Sequence, residues 1–291
     1  MNTIVIIGHG QLGHELSNRH LKAADQVISV SRTQKTPQAL NHQHISADLD
    51  TIDDKLPLPR KIDCLYYFAP PSDNDLTDQR LKKFIALHHG HIISHAIYIS
   101  TSGVYGDKNG EWVTEDALTN PSAARAKRRL NAEHQLISFQ NKRDVPVTIL
   151  RCAAIYSSKT INLNRISANT KPVIRVEEAP YTNRIHLKDL TEVCWQAMLN
   201  PPEETEIYNV SDGQPSTTTD HSWLLADMAG VTRNKPISLS EADQYYSPAY
   251  MSYLNESKRL DISKLKKLLN PVFEFENCID GINECLKNSN K

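Results

Sequence analysis

The chain lacks the features of a membrane, secreted or nucleic-acid-binding protein. Its 33 Lys and Arg residues balance 34 Asp and Glu residues, with a formal net charge of -1, so the basic surplus that neutralises phosphates is missing. No apolar run approaches the roughly 18–20 residues that a membrane span needs, and the N-terminus shows no signal-peptide pattern. We therefore expect a cytoplasmic protein that binds neither nucleic acid nor membranes.

Cysteine and metal-ligand patterns are also sparse. The five cysteines are odd in number and form no C-x-x-C pair, which favours reduced thiols over a disulfide framework. Histidines cluster at 88–91 and at His95, but their spacing is not that of a metal site, and no cysteine or carboxylate completes a ligand set. The sequence therefore predicts no metal centre.

Strand and helix patterns alternate along the first half of the chain. Apolar, β-branched runs predict strands at 3–7, 26–31, 45–47, 63–69, 96–100 and 145–150, and helical spacing predicts helices at 11–23, 76–89 and 121–140. Apolar strands separated by helices indicate a parallel sheet covered on both faces, a doubly wound α/β (Rossmann) fold. We expect residues 1–156 to form this domain, with 182–211 returning to it. Residues 157–181 and 212–291 would form a smaller α/β substrate lobe.

Glycine is scarce, at 10 of 291 residues against a usual share of about 7%, so its clustering near the N-terminus is informative. Residues 8–13 read G-x-G-x-x-G directly after a predicted strand and at the start of a predicted helix. In that context the motif binds the pyrophosphate of a dinucleotide at the helix N-terminus. An ordinary strand–turn–helix is the simpler alternative. The predicted contacts from this loop are Gly8, Gly10, Gln11, Leu12 and Gly13.

The residues after the second predicted strand select the form of the dinucleotide. NAD sites place a carboxylate there to bind the ribose 2′-hydroxyl, whereas this strand ends at Ser31 and Arg32, with Lys35 close by. A guanidinium fits a 2′-phosphate, so we predict NADP, with NAD the less favoured cofactor. Asp48, after the third strand, is either an acceptor for the adenine amino group or a helix N-cap.

A specific family resemblance begins at residues 99–107, I-S-T-S-G-V-Y-G-D. This segment resembles the S-[ST]-x-x-V-Y-G motif of the extended short-chain dehydrogenase/reductases, which include the nucleotide-sugar epimerases and dehydratases. Further segments resemble the landmarks of that family in the same order: 67–71, 150–156, 183–190, 207–212 and 257–259. The chain is most similar to atypical members that begin with G-x-G-x-x-G. The resemblance implies that Ala69 and Pro70 lie over the cofactor.

The resemblance also implies a catalytic site, from which this sequence departs. In the family a Ser or Thr hydroxyl and a Tyr phenol bracket the substrate oxygen, and a Lys four residues after the Tyr lowers the pKa of the phenol. The hydroxyl position falls on Thr101, but the Tyr and Lys positions fall on Arg125 and Arg129. A guanidinium stays protonated and cannot act as a general base. Arg129 could hold the ribose or a phosphate, Arg125 could bind an anionic substrate, and Tyr105 is the candidate replacement for the missing phenol.

Two functions follow as alternatives. The first is an NADP(H)-binding epimerase/dehydratase-like protein or reductase that acts on a nucleotide-sugar-like or other anionic small molecule. The second is a non-catalytic NADP(H)-binding sensor or scaffold protein, which the missing Tyr and Lys favour. Family members often pair through the helices that correspond to 76–89 and 121–140, so either a monomer or a homodimer is expected.

Overall fold

Seven parallel strands form the centre of the computed structural model, which describes residues 1–288. They are β1 (Thr3–Ile7), β2 (Gln26–Ser31), β3 (His42–Ser46), β4 (Cys64–Tyr67), β5 (Ala96–Thr101), β6 (Val147–Cys152) and β7 (Thr205–Val210). Their order across the sheet is β3-β2-β1-β4-β5-β6-β7, and every neighbouring pair is parallel. The predicted doubly wound α/β fold is confirmed.

Helices cover both faces of the sheet. The helices of the described residues are α1 (Gln11–Lys22), α2 (Gln79–Leu87), α3 (Ala124–Arg143), α4 (Leu163–Ser167), α5 (Leu187–Leu199), α6 (Thr218–Ala229), α7 (Pro248–Leu254), α8 (Ser263–Leu268) and α9 (Cys278–Asn288), and five of them cover the sheet. Helices α1, α5 and α8 pack on one face, and α2 and α3 pack on the other. A 3-10 helix, Ser102–Tyr105, follows β5 directly.

The core explains why the strands are continuously apolar. Ile4 and Ile6 pack on the α1 side, while Val5 and Ile7 pack on the α2 side, and all four are 0% exposed. A strand buried on both faces has no polar alternation. Because β1 lies between β2 and β4, the chain leaves it toward one side and leaves β4 toward the other, and this creates a crevice at the carboxyl ends of the strands.

Short strand pairs organise the rest of the chain. Ala154–Tyr156 pairs with Arg184–His186, Val173–Ile174 with Pro236–Ile237, Tyr181–Thr182 with Ser216–Thr217, Arg259–Leu260 with Trp112–Val113, and Lys61–Ile62 with Ile92–Ile93. Within the range predicted for the lobe, however, Ile262, Leu265 and Leu269 belong to the core on the α1 side of the main sheet. The division of the chain into two domains stays a prediction.

Candidate functional site

A cleft of about 340 Å³ opens at the carboxyl ends of β1, β2, β3 and β4. Seven of the residues predicted to contact the cofactor line it: Gly8, Gly10, Ser31, Arg32, Asp48, Ala69 and Pro70. Lys35 and Arg80 line it as well. Gln11, Leu12 and Gly13 lie beside it at the start of α1. The fold therefore brings four separate segments of the chain to one crevice.

Glycine is required at two positions of the first turn for different reasons. Gly8 has a φ of +101°, and a Cβ there would lie 2.5 Å from the nitrogen of Ala69, so the turn packs directly on the backbone that follows β4. A Cβ on Gly13 would lie 2.9 Å from the carbonyl oxygen of Gly8, so this glycine lets the helix approach the turn. Gly10, in contrast, faces open space with nothing within 4 Å. That space is where a pyrophosphate would approach a dinucleotide-binding turn.

The start of α1 suits an anion. The first N–H groups of a helix have no intrahelical acceptor, and the helix dipole places positive potential there. The first turn of α1 carries no acidic residue. Gln11 accepts a hydrogen bond from the Ser157 hydroxyl at 2.9 Å, and Leu12 packs on the core. The residues present fit a bound phosphate group.

Cationic side chains surround the far end of the cleft. Arg32 is exposed, and within residues 1–288 its guanidinium has no ion-pair partner. Lys35 donates a hydrogen bond to the carbonyl oxygen of His9. Arg80 is already committed, because it pairs with Asp50 at 2.5–2.6 Å and donates to the carbonyl oxygen of Pro70 at 2.7 Å. Arg32 is thus the guanidinium available to a ligand at the tip of β2.

Asp48 lines the same cleft, beyond the end of β3. Its Oδ1 accepts a hydrogen bond from the backbone N–H of Asp50 at 3.1 Å, and the residues that follow form a turn. No helix begins there, so the alternative of a helix N-cap was wrong. Asp48 stabilises a turn, and its position still allows the predicted contact with an adenine amino group.

The end of β5 and the 3-10 helix that follows it place Thr101 and Tyr105 in different environments. Thr101 is half-buried, and its hydroxyl accepts a hydrogen bond from the N–H of Gly103 at 3.2 Å. Tyr105 is 0% exposed; its hydroxyl donates to Asn209 at 2.7 Å and accepts from Arg151 at 3.0 Å. Burial raises the pKa of Tyr105 to about 12. A buried phenol with both hydrogen bonds satisfied is not placed to exchange protons with a substrate. This geometry argues against Tyr105 as the proton donor.

The two arginines at the Tyr and Lys positions point to different partners. The guanidinium of Arg125 donates to the hydroxyl of Ser252 and stacks over the ring of Tyr253, 3.5 Å from the centroid, so it holds α7 against the start of α3. Arg129 donates to the carbonyl oxygen of Ile99 at 2.7 Å and to the hydroxyl of Tyr98 at 3.1 Å. Both contacts of Arg129 are with β5, the strand that leads to Thr101.

A buried ion pair beneath this region was not predicted from the sequence. Arg151, on β6, donates to both oxygens of Glu133 at 2.8–3.2 Å. Glu133 is 1% exposed and Arg151 is 5% exposed. The hydroxyl of Ser100 donates to the same carboxylate. In the sequence, the signal for Arg151 is a charged residue within a mostly apolar strand, V-T-I-L-R-C.

A second buried ion pair lies where α7 ends. Lys258 and Glu256 are 3.1 Å apart, with side chains 7% and 5% exposed, and the hydroxyl of Ser122 donates to Glu256 at 3.4 Å. Burial lowers the pKa of Lys258. Together with the contacts of Arg125, this pair fixes the segment 252–258 over the first turn of α3.

The described residues hold neither a membrane-spanning helix nor a metal-ligand cluster. Within residues 1–288 no helix is long and apolar enough to cross a bilayer. Over the same residues, no group of three or more histidine, cysteine, aspartate or glutamate side chains is arranged to hold a metal ion.

Comparison with known proteins gives a family and a set of similar folds. The sequence model of the NAD dependent epimerase/dehydratase family matches residues 4–211. No curated protein matches the chain. Among solved structures, a conserved protein of unknown function from Silicibacter pomeroyi DSS is 23% identical with a TM-score of 0.83, and 100% of each chain is covered.

Two further structures are of epimerases. UDP-glucuronic acid 4-epimerase from Bacillus cereus, in complex with NAD, is 19% identical with a TM-score of 0.75, covering 99% of this chain and 98% of that one. UDP-N-acetylglucosamine 4-epimerase from Methanobrevibacter ruminantium M1, in complex with UDP-N-acetylmuramic acid, is 15% identical with a TM-score of 0.77, covering 98% and 97%. At these identities the likeness is one of fold.

Proposed function

Because the chain belongs to the NAD dependent epimerase/dehydratase family, we propose that it binds NADP(H) in the cleft at the carboxyl ends of β1 to β4. We propose further that it acts on a nucleotide-sugar-like or other anionic small molecule held between this cleft and the lobe. The observation that carries the proposal is the lining of the cleft: an open glycine turn at one end and, at the other, the guanidinium of Arg32, which forms no ion pair with any residue in the range 1–288.

The cofactor is assigned from the residues that would touch it. The backbone of Gly8 and Gly10 and the first N–H groups of α1 would hold the pyrophosphate. Arg32 and Lys35 would hold a 2′-phosphate, with Arg32 free to form a bidentate contact. The Bacillus cereus epimerase is described with NAD, but β2 here ends without the carboxylate that binds the 2′-hydroxyl in NAD sites. When bound, the nicotinamide ring supplies hydride transfer.

On the substrate side, Thr101 and Arg125 would contact the ligand. Thr101 is the last residue of β5 and is half-buried. Its hydroxyl accepts from the N–H of Gly103, so its own proton could be donated to a substrate oxygen. Arg125 would exchange its contacts with Ser252 and Tyr253 for an anionic group of the substrate. The named substrates of two similar structures carry UDP, which supports an anionic nucleotide sugar as the ligand class.

A second candidate function is a non-catalytic NADP(H)-binding sensor or scaffold. The specific observation in its favour is that guanidinium groups occupy the Tyr and Lys positions, while Tyr105 is buried. NADPH-loaded protein should be incubated with a panel of UDP-sugars while the nicotinamide absorbance and the sugar products are followed. Turnover would support the enzyme. Tight NADPH binding without turnover, together with activity in the double variant R125Y/R129K, would support the sensor.

Replacing Arg32 with serine is expected to raise the Kd for NADPH about 10- to 100-fold, because a charge-assisted contact with the 2′-phosphate is lost. The Kd for NADH should stay within about twofold, since NADH lacks that phosphate. Isothermal titration calorimetry with both coenzymes measures this difference. Arg60→Ser is the matched control, because Arg60 is exposed and lies outside the cleft. Wild-type protein that binds NADH as tightly as NADPH would contradict the assignment.

A further inference from the structure

Histidine and serine side chains fill a part of the core where apolar residues would be expected. They lie where β2 and β3 meet the connection 32–41, which contains no helix or strand. Ser29 is 0% exposed, His42 is 5% exposed and His44 is 9% exposed. Buried polar groups are retained at low cost only when they are hydrogen-bonded, so each of these three side chains needs a hydrogen-bond partner inside the protein.

The three side chains form one chain of hydrogen bonds, and the backbone amide at its first end sets the direction of the bond to His42. The backbone N–H of Gln38 donates to Nδ1 of His42 at 3.0 Å. The proton of neutral His42 must therefore be on Nε2, which lies 2.8 Å from the hydroxyl of Ser29. That hydroxyl has a single proton, and it donates to Nδ1 of His44, also at 2.8 Å. Nε2 of His44 then donates to the carbonyl oxygen of Thr33 at 3.1 Å, and it also lies 3.2 Å from the hydroxyl oxygen of Ser31.

The two ends of this chain are both in the connection that follows β2. One end holds the amide of Gln38, and the other holds the carbonyl oxygen of Thr33, which itself lines the cleft. The hydroxyl of Ser31 donates to the same carbonyl oxygen at 2.9 Å. Arg32 directly precedes Thr33 in the chain, and Lys35 lies between the two anchors, Thr33 and Gln38.

We propose that Ser29, His42 and His44 are positioning residues for the coenzyme. They hold the connection so that Arg32 and Lys35 face a 2′-phosphate, and protonation of His42 releases it, so that affinity for the 2′-phosphorylated coenzyme falls at acid pH. The inference rests on the proposed NADP(H) binding and deepens it. It adds three buried residues, none of which lines the cleft, to the determinants of coenzyme selectivity.

The sign of the pH effect follows from the hydrogen bonds. Protonated His42 carries a proton on both nitrogens, so its Nδ1–H would face the N–H of Gln38 and that anchor would be lost. Burial lowers the pKa of His42, and the imidazoles of His44 and His14 lower it further. The ring of His9 lies 5.6 Å away, and because burial lowers the pKa of His9 to about 3, this neighbour stays neutral from pH 8 to pH 5; Lys35 contacts the carbonyl oxygen of His9. His42 is therefore neutral at pH 7, and release begins only below its ordinary pKa of about 6.5.

The test measures the Kd for NADPH and for NADH from pH 8 to pH 5 in wild-type protein and in Ser29→Ala and His42→Gln. A phosphate monoester also takes up a proton near pH 6, so the variants, rather than wild-type protein alone, isolate the contribution of His42. Ser29→Ala should weaken NADPH about 3- to 10-fold at pH 7.5, as expected for one lost buried hydrogen bond, and NADH less than twofold. His42→Gln should have a shallower loss of NADPH affinity in acid than wild-type protein.

Controls separate positioning from folding and from the proposed function. His134→Gln, at an exposed position of α3, should match wild-type protein at every pH. Imidazole nitrogen NMR of the coenzyme-free protein should show the Nε2–H tautomer of both His42 and His44, and the amide of Gln38 should exchange faster as His42 titrates. Equal losses of NADPH and NADH affinity in Ser29→Ala, or none, would overturn the positioning role. If wild-type protein bound NADH as tightly as NADPH, the proposed NADP(H) function itself would be wrong. The Nε2–H tautomers and the protected Gln38 amide would still be found in that case, so the two failures can be told apart.

Discussion

Replacing Glu133 with alanine is expected to lower the free energy of unfolding by about 3–5 kcal/mol, because the substitution leaves a buried guanidinium without its counter-ion. Arg151 is 5% exposed and pairs with Glu133 at 2.8 Å. Its remaining partners are the hydroxyl of Tyr105 and a backbone carbonyl oxygen, and neither carries a negative charge near neutral pH. Urea unfolding followed by circular dichroism measures the change.

Two further variants sharpen this result. Glu133→Gln keeps an acceptor for Ser100 and Arg151 but loses the negative charge. Its free energy of unfolding should therefore lie between that of wild-type protein and that of Glu133→Ala. Glu203→Ala changes an exposed glutamate and should stay within about 0.5 kcal/mol of wild-type protein. If Glu133→Ala lowered the free energy of unfolding by less than about 1 kcal/mol, the guanidinium of Arg151 would have to reach solvent, which its 5% exposure contradicts.

The parts of the fold that sequence patterns predicted well are those set by local composition. Strand β1 was predicted at 3–7 and is found there, because a strand buried on both faces is apolar at every position. Strand β3 was predicted only at 45–47, whereas the structure has His42–Ser46. Its first half faces the buried hydrogen-bond chain rather than an apolar core, so histidine takes the place of the residues that identify a strand.

Helix boundaries differed where tertiary contacts decide them. The third helix was predicted to start at Pro121 but begins at Ala124. Asn120, the residue before Pro121, is held against the 3-10 helix that follows β5, because its N–H donates to the carbonyl oxygen of Val104. A Cβ on Gly106 would also lie 2.1 Å from the carbonyl oxygen of Asn120. Such packing between distant segments leaves no local signal.

The same distinction separates the two halves of the candidate site. The position of the glycine turn and of Arg32 at the cleft could be predicted, because each depends on residues that are neighbours in sequence. The spacing of the glycines is itself typical of one turn geometry. The environment of Tyr105 could not be predicted, because its partners Arg151 and Asn209 are 46 and 104 residues away. Arg125 likewise meets Ser252 at a separation of 127 residues. Whether a side chain at a family position is free or committed depends on such long-range contacts.

Replacing Gly8 with alanine is expected to abolish coenzyme binding and to lower the free energy of unfolding by about 2–5 kcal/mol, the sum of a left-handed backbone penalty and overpacking. At a φ of +101° the new Cβ would lie 2.5 Å from the nitrogen of Ala69 and 2.8 Å from the carbonyl carbon of Phe68. Both atoms are backbone, so the turn itself must move away from β4. Thermal unfolding and NADPH titration measure the two effects.

A pair of control variants distinguishes loss of the turn from loss of the fold. Gly10→Ala meets no atom within 4 Å, so it should lower the free energy of unfolding by no more than the roughly 1 kcal/mol of a changed N-cap residue. Its methyl group would nevertheless occupy the space through which a pyrophosphate reaches the backbone and should weaken NADPH binding about 10-fold or more. Gly90→Ala also meets nothing within 4 Å but lies outside the cleft, so both properties should stay unchanged. If Gly10→Ala bound NADPH as tightly as Gly90→Ala, the coenzyme could not lie against this turn, because the two methyl groups differ only in whether they face the cleft.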